Sequence, residues 1–297
     1  MKTLAIIGPT ASGKTDLAHT LARQFGAAVL SCDSLSVFKG IDIASAKPSK
    51  EERRGIDYFG LDLIEPCGRF GVDAFVAEFE RARQFCQTHN KALIIAGGTG
   101  FYLKALIDGL SIIPDISDDT AKAVAKLLEN PAKAHAKLAQ IDSGYAAQIQ
   151  PADRYRIEKG LLIALATHQP PSRWFETHPP QGVLKPVAIF EVDWPAQTLR
   201  DRIAQRTRQM LQAGLIDEVA RLERHCPRDV QAMRSIGIAE VLDFFDAKVP
   251  KGALETLIAT HTAQLAKRQR TFNRGQFREL VSLPGEAILE RAQGLLR

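Results

Sequence analysis

The chain has 297 residues, a net charge of +5 and a hydrophobic fraction of 45%. This composition is ordinary for a globular protein, and the length allows about two structural units. No apolar run approaches the roughly 20 residues of a membrane span, so we expect no membrane association. The four cysteines follow no metal-ligand spacing, which favours packing thiols in a reduced, cytoplasmic protein: Cys32, Cys67, Cys86 and Cys226.

The first predicted element is Thr3–Ile7, a short apolar run typical of a buried strand. It leads into a segment that matches the phosphate-binding pattern G-x-x-x-x-G-K-[ST], and a helical pattern follows over Lys14–Phe25. We therefore predict a phosphate cradle of eight residues: Gly8, Pro9, Thr10, Ala11, Ser12, Gly13, Lys14 and Thr15. In such a loop, Lys14 reaches the outer phosphates and the Thr15 hydroxyl can bind Mg²⁺, the one cofactor that we expect.

An acidic residue follows the second predicted strand, Ala27–Leu30, at Asp33. P-loop proteins that hold a nucleoside triphosphate usually place an acid at the end of another apolar strand. The candidate strand here, Ala92–Ala96, instead runs into Gly97-Gly-Thr-Gly100. A carboxylate beside a phosphate cradle can act as a general base or support a metal ligand, whereas its ordinary structural role is to cap a helix or turn.

Strand and helix patterns alternate over the first hundred or so residues. The remaining predictions there are the strand Tyr58–Ile64 and the helices Val72–Thr88 and Thr99–Ile107. This alternation predicts an α/β fold, a P-loop parallel sheet covered by helices.

The pattern changes at about residue 115, where the chain becomes polar and rich in Ala and Lys. We predict an inserted all-helical domain over 115–185, and a catalytic core made of 1–114 and 186–297. Predicted helices of the insertion are Asp119–Glu129, Pro131–Gln140 and Asp153–Thr167, followed by the loop His168–Pro180. A last strand at Pro186–Val192 then rejoins the sheet, and the rest is predicted to be helical: Ala196–Gln212, Leu215–His225, Ala232–Phe245 and Ala253–Phe272.

Two basic clusters point to a polyanionic partner. One contains Arg200, Arg202, Arg206 and Arg208. The other runs from His261 to Arg278 without any acid, and on a helix its Lys267, Arg270 and Arg274 share one face. Arg268 lies off that face and could be buried against the core. A merely solvated helix face is the structural alternative.

Five segments in order resemble the signatures of bacterial tRNA dimethylallyltransferases, also called isopentenyl-tRNA transferases. They are the P-loop Gly8–Thr15, Asp33-Ser-Leu-Ser-Val-Phe-Lys-Gly40 with Asp42-Ile-Ala-Ser-Ala-Lys-Pro48, Gly97-Gly-Thr-Gly-Phe-Tyr-Leu-Lys-Ala-Leu106, Pro151-Ala-Asp-Arg-Tyr-Arg156 and Ala266-Lys-Arg-Gln-Arg-Thr-Phe272. Departures from the family pattern fall at Ser36, Phe38, Ala44, Ala121 and Leu162, with Lys122 replacing a basic residue expected near Ala121.

The resemblance implies transfer of a dimethylallyl group from its diphosphate to an adenosine amine beside the tRNA anticodon. The P-loop would then hold the leaving diphosphate, with catalytic roles for Asp33, Thr99 and Arg206. The implied partners are dimethylallyl diphosphate and the tRNA anticodon stem-loop, gripped by the insertion of a monomeric enzyme. The implied tRNA-binding residues are Asp33, Ser34, Leu35, Ser36, Thr99, Lys122, Arg156, Lys267, Arg270 and Arg274.

Two other functions share some of these features. A small-molecule or nucleotide kinase would use the P-loop and Asp33, but it does not need a basic C-terminal helix. A P-loop nucleic-acid-binding switch protein would leave Asp33 and Thr99 without a role.

Overall fold

The computed structural model describes residues 1–186 and 188–297 and divides them into two units. One unit combines Met1–Ile107 with Leu184–Arg297, and the other comprises Asp108–Val183. The predicted strand 186–192 includes Val187, which lies outside the described residues.

The first unit is built on a six-stranded sheet. Its strands are β1 Thr3–Ile7, β2 Ala28–Ser31, β3 Tyr58–Phe59, β4 Leu93–Gly97, β5 Ala188–Val192 and β6 Leu280–Leu283. Their order is β3-β2-β4-β1-β5-β6, and every pair is parallel. The α/β prediction is therefore confirmed, and the carboxyl ends of the strands share one edge, where open α/β sheets bind ligands.

Helices cover both faces of this sheet, and a further group forms the second unit. In chain order they are α1 Lys14–Phe25, α2 Val72–Thr88, α3 Gly100–Asp108, α4 Asp118–Leu127, α5 Pro131–Ile141, α6 Ser143–Ala147, α7 Arg154–Thr167, α8 Pro171–Thr177, α9 Ala196–Gln212, α10 Leu215–His225, α11 Ile238–Phe245, α12 Leu254–Gln276 and α13 Gly285–Leu296. None of these described helices is long and apolar enough to cross a membrane.

Alternation along β1 builds the two cores of the first unit. Leu4 and Ile6 belong to the cluster that includes residues of α1 and α13. Ala5 and Ile7 belong to the larger cluster, which includes residues of α2, α3 and α10. Because both faces of β1 are covered, the strand is buried at every position, and this explains the apolar run from Leu4 to Ile7.

The second unit consists of α4–α8 around a small apolar core that includes Val124, Leu138 and Leu161. Polar side chains cap its helices, as when Ser117 accepts from the Thr120 N–H at the start of α4. On α7, Gly160 permits close packing, since a Cβ there would lie 2.7 Å from the Tyr145 ring.

Several predicted elements need correction. β5 is not the last strand, because β6 pairs with it at the sheet edge and α13 follows. The predicted strand 58–64 ends at Phe59, since Gly60 and Asp62 adopt positive φ of 80° and 53°. The predicted loop 168–180 contains α8, and the predicted helix 232–245 is interrupted before α11 by Gly237, at φ 94°.

The cysteine prediction is wrong for one pair. Cys67, in the loop after β3, forms a disulfide with Cys226, the C-cap residue of α10. The two residues are 159 positions apart, so no spacing in the sequence indicates the bond. Cys32 and Cys86 are buried free thiols, as predicted.

Candidate active site

A cavity of about 1290 Å³ lies in the first unit and is lined by segments that follow β1, β2 and β4. Helices α9 and α12 contribute further lining residues. The predicted residues among them are Thr10, Ala11, Gly13, Lys14, Thr15, Asp33, Ser34, Leu35, Ser36, Thr99 and Arg206. Three other cradle residues, Gly8, Pro9 and Ser12, are buried.

The phosphate cradle joins β1 to α1 through an unusual backbone. Ala11 and Gly13 have φ of 63° and 88°, a left-handed conformation that favours glycine at the second position. Gly13 is the N-cap of α1, and no side chain caps the helix there. The N–H groups of the first turn are therefore available to an anion at the positive end of the helix.

Two side chains fix the backbone of this loop: Arg202, predicted only as part of a basic cluster, and Trp194, which the sequence analysis missed. Arg202 Nε donates to the Ala11 carbonyl at 2.7 Å, and Trp194 Nε1 donates to the Ser12 carbonyl at 2.8 Å. The Arg202 guanidinium also stacks over the Trp194 ring, 4.8 Å from its centroid. Because C=O and N–H point in opposite directions in a trans peptide, the bond to Ser12 aims the Gly13 N–H away from Trp194.

The site brings together two positively charged side chains, Lys14 and Arg206, that are largely shielded from water. Burial, reinforced by repulsion from Arg206, lowers the pKa of Lys14 to about 8, although Asp33 opposes the shift. Burial also lowers the pKa of Arg206, again against the attraction of Asp33. Lys14 Nζ donates to the Pro9 carbonyl at 3.2 Å. Asp16 also attracts Arg206, but two desolvated cations grouped at a phosphate cradle still favour the binding of an anion.

Asp33 stabilises the turn after β2 with one carboxylate oxygen and leaves the other oxygen available to a substrate. Its Oδ1 accepts from the N–H groups of Leu35 and Ser36, at 2.8 and 3.1 Å. Both bonds use the same oxygen, so the turn does not require Oδ2. Thr99 is tied to the same turn, since its Oγ1 accepts from the Ser34 N–H at 3.1 Å. The Thr99 hydroxyl hydrogen remains able to donate to a substrate.

A loop after this turn forms another part of the cavity wall and is fixed by a buried carboxylate. Glu218, on α10, accepts from the backbone N–H groups of Asp42, Ile43 and Ala44 at 2.8 to 2.9 Å. Lys47 is also fixed, with Nζ bonded to the Phe38 carbonyl and paired with two aspartates. Glu218 lies more than 170 positions from the loop, and nothing in the sequence signals the contact.

Two of the three predicted tRNA-binding cations on α12 have acidic partners, and their contact with tRNA stays a prediction. Arg270 lies 3.4 Å from Asp193, and Arg274 pairs with both Glu191 and Asp193 at 3.3 Å. These acids belong to β5 and the residues just after it, so the two arginines are neutralised within the fold. Arg268 is not buried against the core, because it is exposed and lines the cavity.

Lys267 is exposed on α12. The other two predicted tRNA-binding cations belong to the second unit. Lys122, on α4, is exposed, and Arg156, on α7, forms an exposed pair with Asp153 at 3.5 Å.

Comparisons with known proteins agree with one another. Residues 36–276 match the family model described as IPP transferase. The chain is 47% identical to the tRNA dimethylallyltransferase of Sulfurimonas denitrificans over 97% of both chains. It is 45% identical to that of Wolinella succinogenes over 98% of this chain and 97% of the other.

Solved structures give the same result. A tRNA isopentenylpyrophosphate transferase from Bacillus halodurans aligns with a TM-score of 0.73 at 27% identity, covering 99% of this chain and 96% of that one. A related transferase from Staphylococcus epidermidis aligns with a TM-score of 0.68 at 28% identity, covering 99% and 98%. On the family model and these nearly full-length matches, the chain belongs to the IPP transferase family.

Proposed function

We propose that this protein transfers a dimethylallyl group from dimethylallyl diphosphate to the exocyclic amine of an adenosine beside the tRNA anticodon. The proposal rests on the residues that line one cavity. They combine a phosphate cradle and two desolvated cations with Asp33 and Thr99. The segment from the end of β4 to the start of α3, Gly97–Gly100, offers no carboxylate for the metal of a nucleoside triphosphate, which disfavours phosphoryl transfer.

The reaction is an alkyl transfer. The adenosine nitrogen forms a bond to C1 of the dimethylallyl group while the C1–O bond to diphosphate breaks, and diphosphate carries away the electron pair. Negative charge therefore grows on the leaving oxygen in the transition state. Lys14, Arg206 and the N–H groups that begin α1 are placed to stabilise this charge, which is worth several kcal/mol at a preorganised site.

The amine loses one proton in the reaction. Asp33 Oδ2 is the group assigned to accept this proton or to orient the amine, because Oδ1 already serves the turn. The Thr99 hydroxyl, fixed by its bond to the Ser34 N–H, can donate a hydrogen bond beside the reacting nitrogen.

A Mg²⁺ ion at this site would need oxygen ligands from the diphosphate substrate as well as from the protein. Within the described ranges, no group of three or more His, Cys, Asp or Glu side chains could hold a metal. Thr15 supplies a hydroxyl at the cavity, and Mg²⁺ commonly combines few protein oxygens with substrate phosphates and water. Bound there, the ion would neutralise charge on the diphosphate oxygens.

Exposed cations are assigned to the tRNA. On α12 we assign Lys267 and Arg268 first, because Arg270 and Arg274 are already paired with Asp193 and Glu191. Lys122 and Arg156 of the second unit remain proposed contacts to the anticodon arm. Action as a monomer in the cytoplasm also remains a proposal.

One assay separates this function from a kinase. The protein is incubated with unmodified tRNA and dimethylallyl diphosphate carrying label in the allyl group, and in parallel with γ-labelled ATP and small acceptors. We expect label in tRNA from the first mixture and none transferred from the second. Phosphate transfer without allyl transfer would overturn the proposal in favour of a kinase.

A further inference from the structure

We infer that Gln269 is a positioning residue that fixes the phosphate cradle relative to the segment after β4 that carries Thr99. The inference rests on the proposed function. Gln269 Oε1 accepts from the Thr10 N–H at 3.0 Å, and its Nε2 donates to the Gly98 carbonyl at 2.9 Å. A single amide thus joins the loop after β1 to the loop after β4, from a helix far along the chain.

The two loops belong to neighbouring strands, since Ile7 pairs with Gly97 in the parallel ladder. Each continues directly into the proposed chemistry. Thr10 lies in the cradle that also contains Lys14, and Gly98 precedes Thr99. A shift between the loops therefore changes the position of the leaving diphosphate relative to the Thr99 hydroxyl.

The helix that carries Gln269 is itself firmly anchored. Four residues on, Asn273 is buried, and its Nδ2 donates to Glu191 of β5 at 2.9 Å. Glu191 also accepts from Ser282 of β6, at 3.1 Å. A site residue held by a fixed backbone can impose its geometry on softer loops.

The backbone at Gly98 and Gly100 packs closely against the side chains of α12. A Cβ at Gly98 would lie 2.6 Å from Gln269 Nε2, and a Cβ at Gly100 would lie 2.5 Å from Asn273 Oδ1. These glycines allow α12 to approach the loop after β4 at hydrogen-bonding distance. Only a side chain with an acceptor toward Thr10 and a donor toward Gly98 satisfies both groups.

The test compares Gln269→Leu with Gln264→Leu, a control at an exposed position on the same helix. We expect Gln269→Leu to lower kcat at least tenfold, because small displacements of reacting groups are costly. KM for both substrates and the Kd for inorganic pyrophosphate should stay within about threefold of wild type. The control should match wild type in kcat, and the two variants should have similar Tm values.

Gln269→Glu adds a second measurement, the pH dependence of kcat, which a purely structural role for Gln269 would leave unchanged. A protonated carboxyl can replace the amide at both contacts, whereas a carboxylate presents a second acceptor to the Gly98 carbonyl. The kcat of Gln269→Glu relative to wild type should therefore rise as the pH falls from 8 to 5.5. The corresponding ratio for Gln269→Leu should not change with pH.

The outcomes separate the two claims. Lack of transfer by the wild-type enzyme would overturn both the proposed function and this inference. Transfer by wild type with an unchanged kcat in Gln269→Leu would overturn the inference alone. An increase confined to KM for the diphosphate, or a loss that follows a lowered Tm, would also overturn it.

Discussion

The ionisation of Lys14 should limit the enzyme in mildly alkaline solution. Its pKa is lowered from 10.5 to about 8, chiefly by burial and then by Arg206. This difference corresponds to about 3 kcal/mol less favourable charging of the ammonium group. With a pKa near 8, about nine-tenths of free enzyme molecules carry the charge at pH 7 and about one-tenth at pH 9. We therefore expect kcat/KM for the diphosphate to fall about tenfold between these values.

The assay is steady-state transfer to tRNA at constant ionic strength over pH 7 to 9.5, where ionisation of phosphate groups is nearly complete (pKa about 6). kcat/KM reports the free enzyme, so the fall should appear there more strongly than in kcat. Lys14→Arg is the matched variant, because its guanidinium stays charged throughout this range. It should be slower but independent of pH. A fall that persists in Lys14→Arg, or a wild-type profile flat to pH 9.5, would refute the reasoning.

Three further outcomes follow from the structure. Asp33→Asn keeps the Oδ1 acceptor of the turn but removes the base, so kcat should fall by about 10²–10⁴ with little change in Tm; turnover within threefold of wild type would reject the assignment. Lys267→Gln with Arg268→Gln should weaken tRNA binding and flatten its salt dependence, whereas an unchanged slope in a filter-binding titration would place the RNA surface elsewhere. Cys67→Ser should lower the free energy of unfolding by about 2–4 kcal/mol under oxidising conditions, but not in excess reductant; equal denaturation curves in oxidant would contradict the disulfide.

Much of the fold could be predicted because its signals are local. The helices Lys14–Phe25 and Val72–Thr88 have the predicted bounds. Their apolar spacing is regular, and Gly26 in the left-handed region ends the first one. The strand Leu280–Leu283 could not be predicted in this way, because four residues become a strand only by pairing with β5.

The residues of the site likewise divide into those with a local sequence signal and those brought there only by tertiary contacts. The cradle is one continuous motif, so its residues could be predicted together, and five of the eight line one cavity. The supporting contacts come from remote parts of the chain. Arg202 reaches a carbonyl 191 positions away, and Glu191 neutralises Arg274 from 83 positions away. Only the tertiary structure creates such pairs, and this is why the apparent lack of acids around α12 was misleading.

The measurement that tests the account most directly follows one oxygen atom. Dimethylallyl diphosphate labelled with ¹⁸O at the oxygen between carbon and phosphorus is reacted with unmodified tRNA in the absence of ATP. If the P-loop holds a leaving diphosphate, the C–O bond breaks, all ¹⁸O appears in the released pyrophosphate, and the allyl group appears on an adenosine amine. Recovery of ¹⁸O in dimethylallyl alcohol, or phosphate on the acceptor, would show that a P–O bond breaks and would contradict the account.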